Sequence, residues 1–251
     1  MYPGEPPGAW TRASVTIPET RPATPPTLVA AAHGTRDPGG PVVLEELLDQ
    51  VRAQLPGVDV RIAYVDVIGP MLDEVLAEAG GAPVVVPMFL ASGYHVRVDV
   101  PDAVETTGGR AVVTSALGPD DAVVAAVADR LREASGDELP DSVVLAAAGS
   151  SDESALGEVE AAAAKLSGLI DRDVVVGYIT TATPTVEDAV ESLRVAGHER
   201  VGIATYLLAP GLFLRRLDGM GADVVAPPIG VHPSVVDLVA DRYRAAVGVP
   251  R

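Results

Sequence analysis

From Thr27 onward the chain repeats itself, and this constrains its fold more than any other feature. "AAHGTRD" is answered by "AAAGSSD", "IGPMLDEVL" by "ATPTVEDAV", "FLASGYHVR" by "LLAPGLFLR", and "LGPDDAVVAAVADR" by "IGVHPSVVDLVADR". Equivalent positions are separated by 148 − 33 = 115, 184 − 70 = 114, 211 − 93 = 118 and 230 − 118 = 112 residues. Spacing this even points to one ancestral unit that was duplicated. Whatever the first half folds into, the second is expected to fold into as well.

Within each half, short runs rich in Val and Ala alternate with longer segments of helical periodicity, and Gly, Pro or Asp marks the joints. "TLVAAA", "VDVRIAYVDV", "APVVVPMFL" and "RAVVTSAL" read as strands. "PVVLEELLDQVRAQL", "PMLDEVLAEAG" and "DDAVVAAVADRLREA" read as helices, with a shorter helix expected around Val98 to Thr107. The alternation predicts an α/β fold of two duplicated domains, each a mostly parallel sheet flanked by helices. The expected boundaries are a Pro-rich disordered tail over 1–26, an active domain over 27–135, a linker over 136–141 and a degenerate repeat over 142–251. Trp10, in the tail, is expected to be solvated.

Hydrophobic residues make up 48% of the 251, enough for a sizeable core. With Lys+Arg 18 against Asp+Glu 35, the formal charge of −17 argues against nucleic-acid or anionic-membrane partners. The chain has no cysteine, so any metal must be held by nitrogen or oxygen. Neither a membrane-spanning run nor a secretory signal is read, and the expected location is the cytoplasm.

The two halves differ where chemistry is most easily placed. His33 aligns with Ala148 and His95 with Phe213, so both histidines are replaced together in the copy. His33 follows the first strand and His95 the third, and open parallel sheets bind ligands beyond the carboxyl ends of their strands. Asp66, late in the second strand pattern, is expected on the same edge. Imidazoles with a carboxylate suit Fe²⁺ or Co²⁺ and equally suit proton transfer near neutral pH, so metal handling and acid–base chemistry both stay open. Gly34 and Gly93 allow close backbone approach, Thr35 and Ser92 offer hydroxyls, and Arg36 and Arg97 suit a polycarboxylated substrate or else surface ion pairs. His198 reads as a solvated residue and His232 as a turn or helix cap.

Other motifs fail on particular residues. There is no GxxxxGK[ST], no GxGxxG at a strand-to-helix turn and no HExxH. The histidine-phosphatase pattern requires an arginine immediately before its first histidine, and that position here is Ala32.

"AHGTRDP" after the first strand and "VPMFLASGYHVRVDVP" after the third resemble the two signature stretches of the sirohydrochlorin chelatases, the class II chelatases. These enzymes insert cobalt or ferrous iron into the precursor of siroheme and cobalamin. The likeness runs from Thr27 to about Val247 and extends to the duplicated long forms with an active N-terminal half. It implies that His33 binds metal and accepts pyrrole protons, that His95 is the second metal-binding histidine, and that Leu90, Ala91, Ser92, Gly93 and Tyr94 contact the tetrapyrrole. It places Asp66 where the family usually has glutamate, one methylene longer. The implied partners are sirohydrochlorin and a divalent metal used as substrate, with no permanently bound cofactor. The chain lacks a His-rich tract of the kind some cobalt-handling relatives carry, which inclines the expectation to iron. A monomer is expected, its two repeats forming the cleft between them. The alternatives are a carrier that binds the tetrapyrrole or metal without turnover, and a scaffold for a partner.

Overall fold

A computed structural model of the chain describes residues 24–248. Residues 1–23, with Trp10 and most of the expected tail, lie outside the described residues, as do 249–251. Where the description begins the chain is already fixed, because the Tyr243 hydroxyl donates to the Pro26 carbonyl at 2.7 Å.

The first half comprises β1 (Leu28–Ala32), α1 (Gly39–Gln54), β2 (Val60–Tyr64), α2 (Leu72–Ala79), β3 (Val84–Pro87), a π-helical turn (His95–Asp99) leading into α3 (Val100–Thr106), β4 (Val112–Val113) and α4 (Asp121–Ser135). The second repeats it with β5 (Ser142–Ala147), α5 (Glu153–Ile170), β6 (Asp173–Tyr178), α6 (Val186–Val195), β7 (Val201–Tyr206), α7 (Leu212–Arg216), β8 (Val224–Val225) and α8 (Pro233–Ala246). Each half forms a four-stranded, all-parallel sheet, in the orders β2-β1-β3-β4 and β6-β5-β7-β8. Every residue of β1, β3, β5 and β7 is buried, which explains why these strands read as unbroken apolar runs instead of alternating ones.

Local chemistry starts the helices where the sequence allows it. Asp120 caps α4 through the Ala122 amide, and Asp152 caps α5 through the Ser154 amide. His232 caps α8, its Nδ1 accepting from the Ser234 amide at 3.3 Å. Two segments depart from the sequence reading. The helix expected near Val98 starts at His95, and the strand expected across "RAVVTSAL" shrinks to Val112–Val113.

The two sheets share one interior. Leu28, Ala30 and Ala32 of β1 face the same apolar cluster as Val143, Leu145 and Ala147 of β5. Helices α1, α4, α5 and α8 fill the layer between the sheets, with α1 against α8 and α4 against both α5 and α8. The alternate residues Val29 and Ala31 face an outer cluster with α2 and α3, and Val144 and Ala146 face a second one with α6. The molecule is a five-layer sandwich whose central layer belongs to both halves.

Candidate functional site

Strand order 2-1-3-4 makes the β1/β3 boundary a switch point. The chain leaves β1 toward β2 and leaves β3 toward β4, so the two loops diverge and open a crevice at the carboxyl edge. The residues following these two strands are His33 and those leading to His95. Their rings stand edge to face, with centroids 4.5 Å apart and planes at 88°. Phe89 stacks beside His95 at 6.1 Å, and the exposed Tyr94 meets the same ring edge-on at 6.0 Å.

Both imidazoles are held through the same atom. His33 Nδ1 lies 3.0 Å from the Gly34 carbonyl, and His95 Nδ1 lies 2.5 Å from Asp99 Oδ2. A carbonyl or an ionised carboxylate only accepts, so each Nδ1 carries a proton, and in the neutral ring each Nε2 presents a lone pair. Two such nitrogens side by side can bind a divalent ion or take up protons. No group of three or more His, Asp or Glu side chains among the described residues is gathered to hold a metal ion.

Asp66, expected beside the histidines, sits two residues beyond β2 with its carboxylate accepting from the Val67 amide at 2.6 Å. Its main chain also supports the site. The Asp66 amide donates to the His33 carbonyl, and the Asp66 carbonyl lies 2.4 Å from where a Cβ on Gly34 would stand. Gly34 has φ +91°, so the glycine is required by this packing and not only by ligand approach.

The remaining predicted residues divide between the loop interiors and a seam with the second half. The Thr35 hydroxyl accepts from the Asp37 amide, and the Ser92 amide donates to Glu158 of α5. Gly93 packs toward Ser150 and Ala155, the Leu90 carbonyl accepts from the Tyr206 hydroxyl, and the half-buried Ala91 packs against the shared core. Arg97 donates to the Ser92 carbonyl at 2.7 Å and lies 3.4 Å from Asp152. Arg36 is exposed and makes no ion pair among the described residues.

The seam has a two-fold character that the sequence reading did not draw out. By the repeat offsets, Asp152 is the copy of Asp37 and Arg215 the copy of Arg97; Arg97 pairs with Asp152, and Arg215 pairs with Asp37. Likewise a Cβ on Gly93 would stand 3.4 Å from the Ser150 hydroxyl, and one on Gly211 would stand 3.4 Å from that of Thr35. Residue i meets j and the copy of j meets the copy of i, as in an isologous dimer interface. Arg216, next in α7, lies with its guanidinium 5.9 Å from the Phe213 ring centre. A groove of about 470 Å³ opens beside the π-helical turn, lined by Ser92, Val96, Thr114, Ser115, Glu158 and Arg242, and neither imidazole lines it.

Comparison with known proteins agrees with the fold and the repeat. The CbiX family model matches residues 27–134 and again 142–246. A sirohydrochlorin ferrochelatase of Priestia megaterium is 21% identical over 231 residues, covering 84% of this chain and 87% of that protein. A sirohydrochlorin cobaltochelatase of Methanosarcina acetivorans is 32% identical over 78 residues, covering 30% of this chain and 60% of its own. Among solved structures, SirB from Bacillus subtilis with Fe³⁺ superposes with a TM-score of 0.74 at 21% identity, covering 88% of this chain and 95% of that one. CbiX, described as the terminal enzyme of siroheme biosynthesis in denitrifying bacteria, gives 0.69 at 24% identity, covering 88% and 99%. With its model matched twice along most of its length, the chain belongs to the CbiX family of sirohydrochlorin chelatases.

Proposed function

We propose that the protein is a sirohydrochlorin chelatase, a lyase-class enzyme that inserts Fe²⁺ or Co²⁺ into sirohydrochlorin. The observation that carries this reading is the His33–His95 pair, with ring centroids 4.5 Å apart at the switch point and each ring held through Nδ1. Insertion removes two pyrrole protons as the metal enters. Two imidazoles can exchange with water on the ion, leave its other positions open for the macrocycle nitrogens, and accept the displaced protons. The donor set suits both ions, and supply would decide between them as much as geometry.

In this reading residues 27–135 carry the chemistry and 142–251 form the far wall of the cleft. The exposed Tyr94 and its copy, the exposed Leu212, supply apolar surface on the two sides for a flat macrocycle. Arg97 and Arg215 are occupied by aspartates across the seam, which leaves Arg36 and Arg216 to meet substrate carboxylates. Asp66 keeps a proposed part through the Gly34 turn that aims His33. The duplication supplies both walls within one chain, consistent with a monomer. No described helix is long and apolar enough to cross a membrane, and the substrate chemistry fits the cytoplasm.

The test is anaerobic incubation with sirohydrochlorin and either metal, following the macrocycle spectrum beside His95→Ala. Accelerated insertion by the wild type and its loss in the variant are expected. A spectral shift on binding, with insertion no faster than in buffer, would make the protein a tetrapyrrole carrier and overturn the reading.

A further inference from the structure

From sequence alone, His95 is expected in a loop and Asp66 as the carboxylate of the site. The structure winds His95–Asp99 into a π-helical turn, and four residues along such a turn bring two side chains together on one face. Asp99 Oδ2 sits 2.5 Å from His95 Nδ1, with both side chains about two-thirds covered, at 32% and 31% exposure. Arg97, on the same turn, points away toward Ser92 and Asp152, so the Asp99 carboxylate is left to the imidazole.

We propose that Asp99 is a positioning residue that makes His95 the anchoring metal ligand of the pair. This rests on the chelatase reading above. An acceptor-only carboxylate selects the Nδ1–H tautomer and fixes the ring angle, so the far nitrogen is aimed into the site. His33 has only a neutral acceptor, the adjacent Gly34 carbonyl at 3.0 Å, and its side chain is exposed. The two imidazoles are therefore unequal. His95 is charge-supported and two-thirds covered, and it holds the ion. His33 is loosely tethered and open to solvent, and it exchanges water and carries protons away.

The second half supports this pairing. At the offset that turns His95 into Phe213, Asp99 becomes Leu217, which is fully buried. Arg97, between them in the chain, is retained as Arg215. The copy has kept the residue that holds the seam and lost the imidazole together with its carboxylate.

The test uses the full chain with Asp99→Asn, Asp99→Ala and Asp99→Glu. Nitrogen-15 NMR of histidine-labelled protein, without metal or macrocycle, reads the tautomer of His95. Titration with Co²⁺ alone reads affinity, and steady-state kinetics read the KM for each substrate. The wild type is expected to hold His95 as Nδ1–H. The Asn and Ala variants are expected to shift it toward Nε2–H and weaken Co²⁺ binding by about 10- to 100-fold. The KM for sirohydrochlorin should stay unchanged, and the Glu variant should recover part of the affinity. An unmoved tautomer, Co²⁺ affinity within twofold of wild type, or an equal loss of macrocycle binding would each overturn the proposal. If the wild type bound no Co²⁺ at all, the metal-handling reading and this proposal with it would fall. If it bound Co²⁺ through an Asp99-dependent His95 but inserted nothing, only the chelatase reading would fall.

Discussion

Arg97 of the first half reaches Asp152 of the second, Nε to Oδ2 at 3.4 Å, and its copy Arg215 reaches Asp37. The internal repeat thus closes on itself as two subunits of a symmetric dimer would. The Asp152 carboxyl is held below the usual carboxylate range by hydrogen bonds from the Ser154 hydroxyl and amide, with Arg97 adding to the effect. These pairs orient loops that line the crevice. Their arginine side chains are 48% and 59% exposed, and exposed pairs contribute little to stability.

Apolar burial must therefore hold the halves together. Leu166 of α5 is fully buried in the cluster shared by both sheets. Leu166→Ala should cost about 2–5 kcal/mol. Because the cluster is common to both halves, urea unfolding of the wild type and the variant should each show one transition. Two separate transitions would show that the halves are stable independently.

Gly34→Ala should be among the most damaging single-methyl changes in the first half. Its φ of +91° strains any L side chain, and the added Cβ would meet the Asp66 carbonyl at 2.4 Å. A loss of about 1–3 kcal/mol is expected, together with reduced turnover, because the shifted turn carries His33. The copy provides a control. Gly149 has φ +95° with the Thr180 carbonyl at 1.9 Å from its Cβ position, so Gly149→Ala should destabilise comparably without displacing either imidazole. Denaturation and turnover measured on both variants separate the two effects.

The parallel sheets and the duplication are legible in the sequence because buried strand runs such as "VVLAAA" and periodic helices differ in length and punctuation. His33 and His95 stood out because the copy lacks both. Asp99 was missed for a local reason. With the helix expected to begin near Val98, His95 and Asp99 fell on opposite sides of a boundary, and their i,i+4 spacing carried no weight. A helix starting at His95 would have paired them. The shared central layer was not legible, since periodicity shows which face of a helix is apolar but not which sheet covers it. For Arg97 the sequence allows both a substrate clamp and an ion pair, because its partner Asp152 lies in the other repeat, out of reach of any local pattern.

His33→Ala should lower metal insertion by about 10²- to 10⁴-fold, the range typical of a lost proton-transferring group, and His95→Ala should lower it through weakened metal binding. Neither change touches the seam, so sirohydrochlorin binding should persist in both. The KM for the metal should rise more in His95→Ala than in His33→Ala if the covered imidazole is the anchor. Steady-state kinetics with each substrate varied in turn check the order.

Tyr206 links the second half to the loop that leads to His95. Its hydroxyl donates to the Leu90 carbonyl at 2.9 Å, and the side chain is 3% exposed. Burial, aided by the nearby Glu158 charge, raises its pKa well above the ordinary value of 10.0. A raised folded-state pKa means that this stabilisation is fully present below the unfolded pKa and is lost as pH rises through the folded one. Tyr206→Phe should therefore cost about 1–2 kcal/mol at neutral pH, where it leaves the Leu90 carbonyl without its donor. The gap between wild type and variant should narrow as pH climbs past about 10, because the unfolded wild type then gains the ionised phenol that the folded form resists. Urea unfolding of both proteins from neutral pH upward measures that gap. A gap unchanged well above the tyrosine range would mean that the phenol is not protected from ionisation in the folded protein.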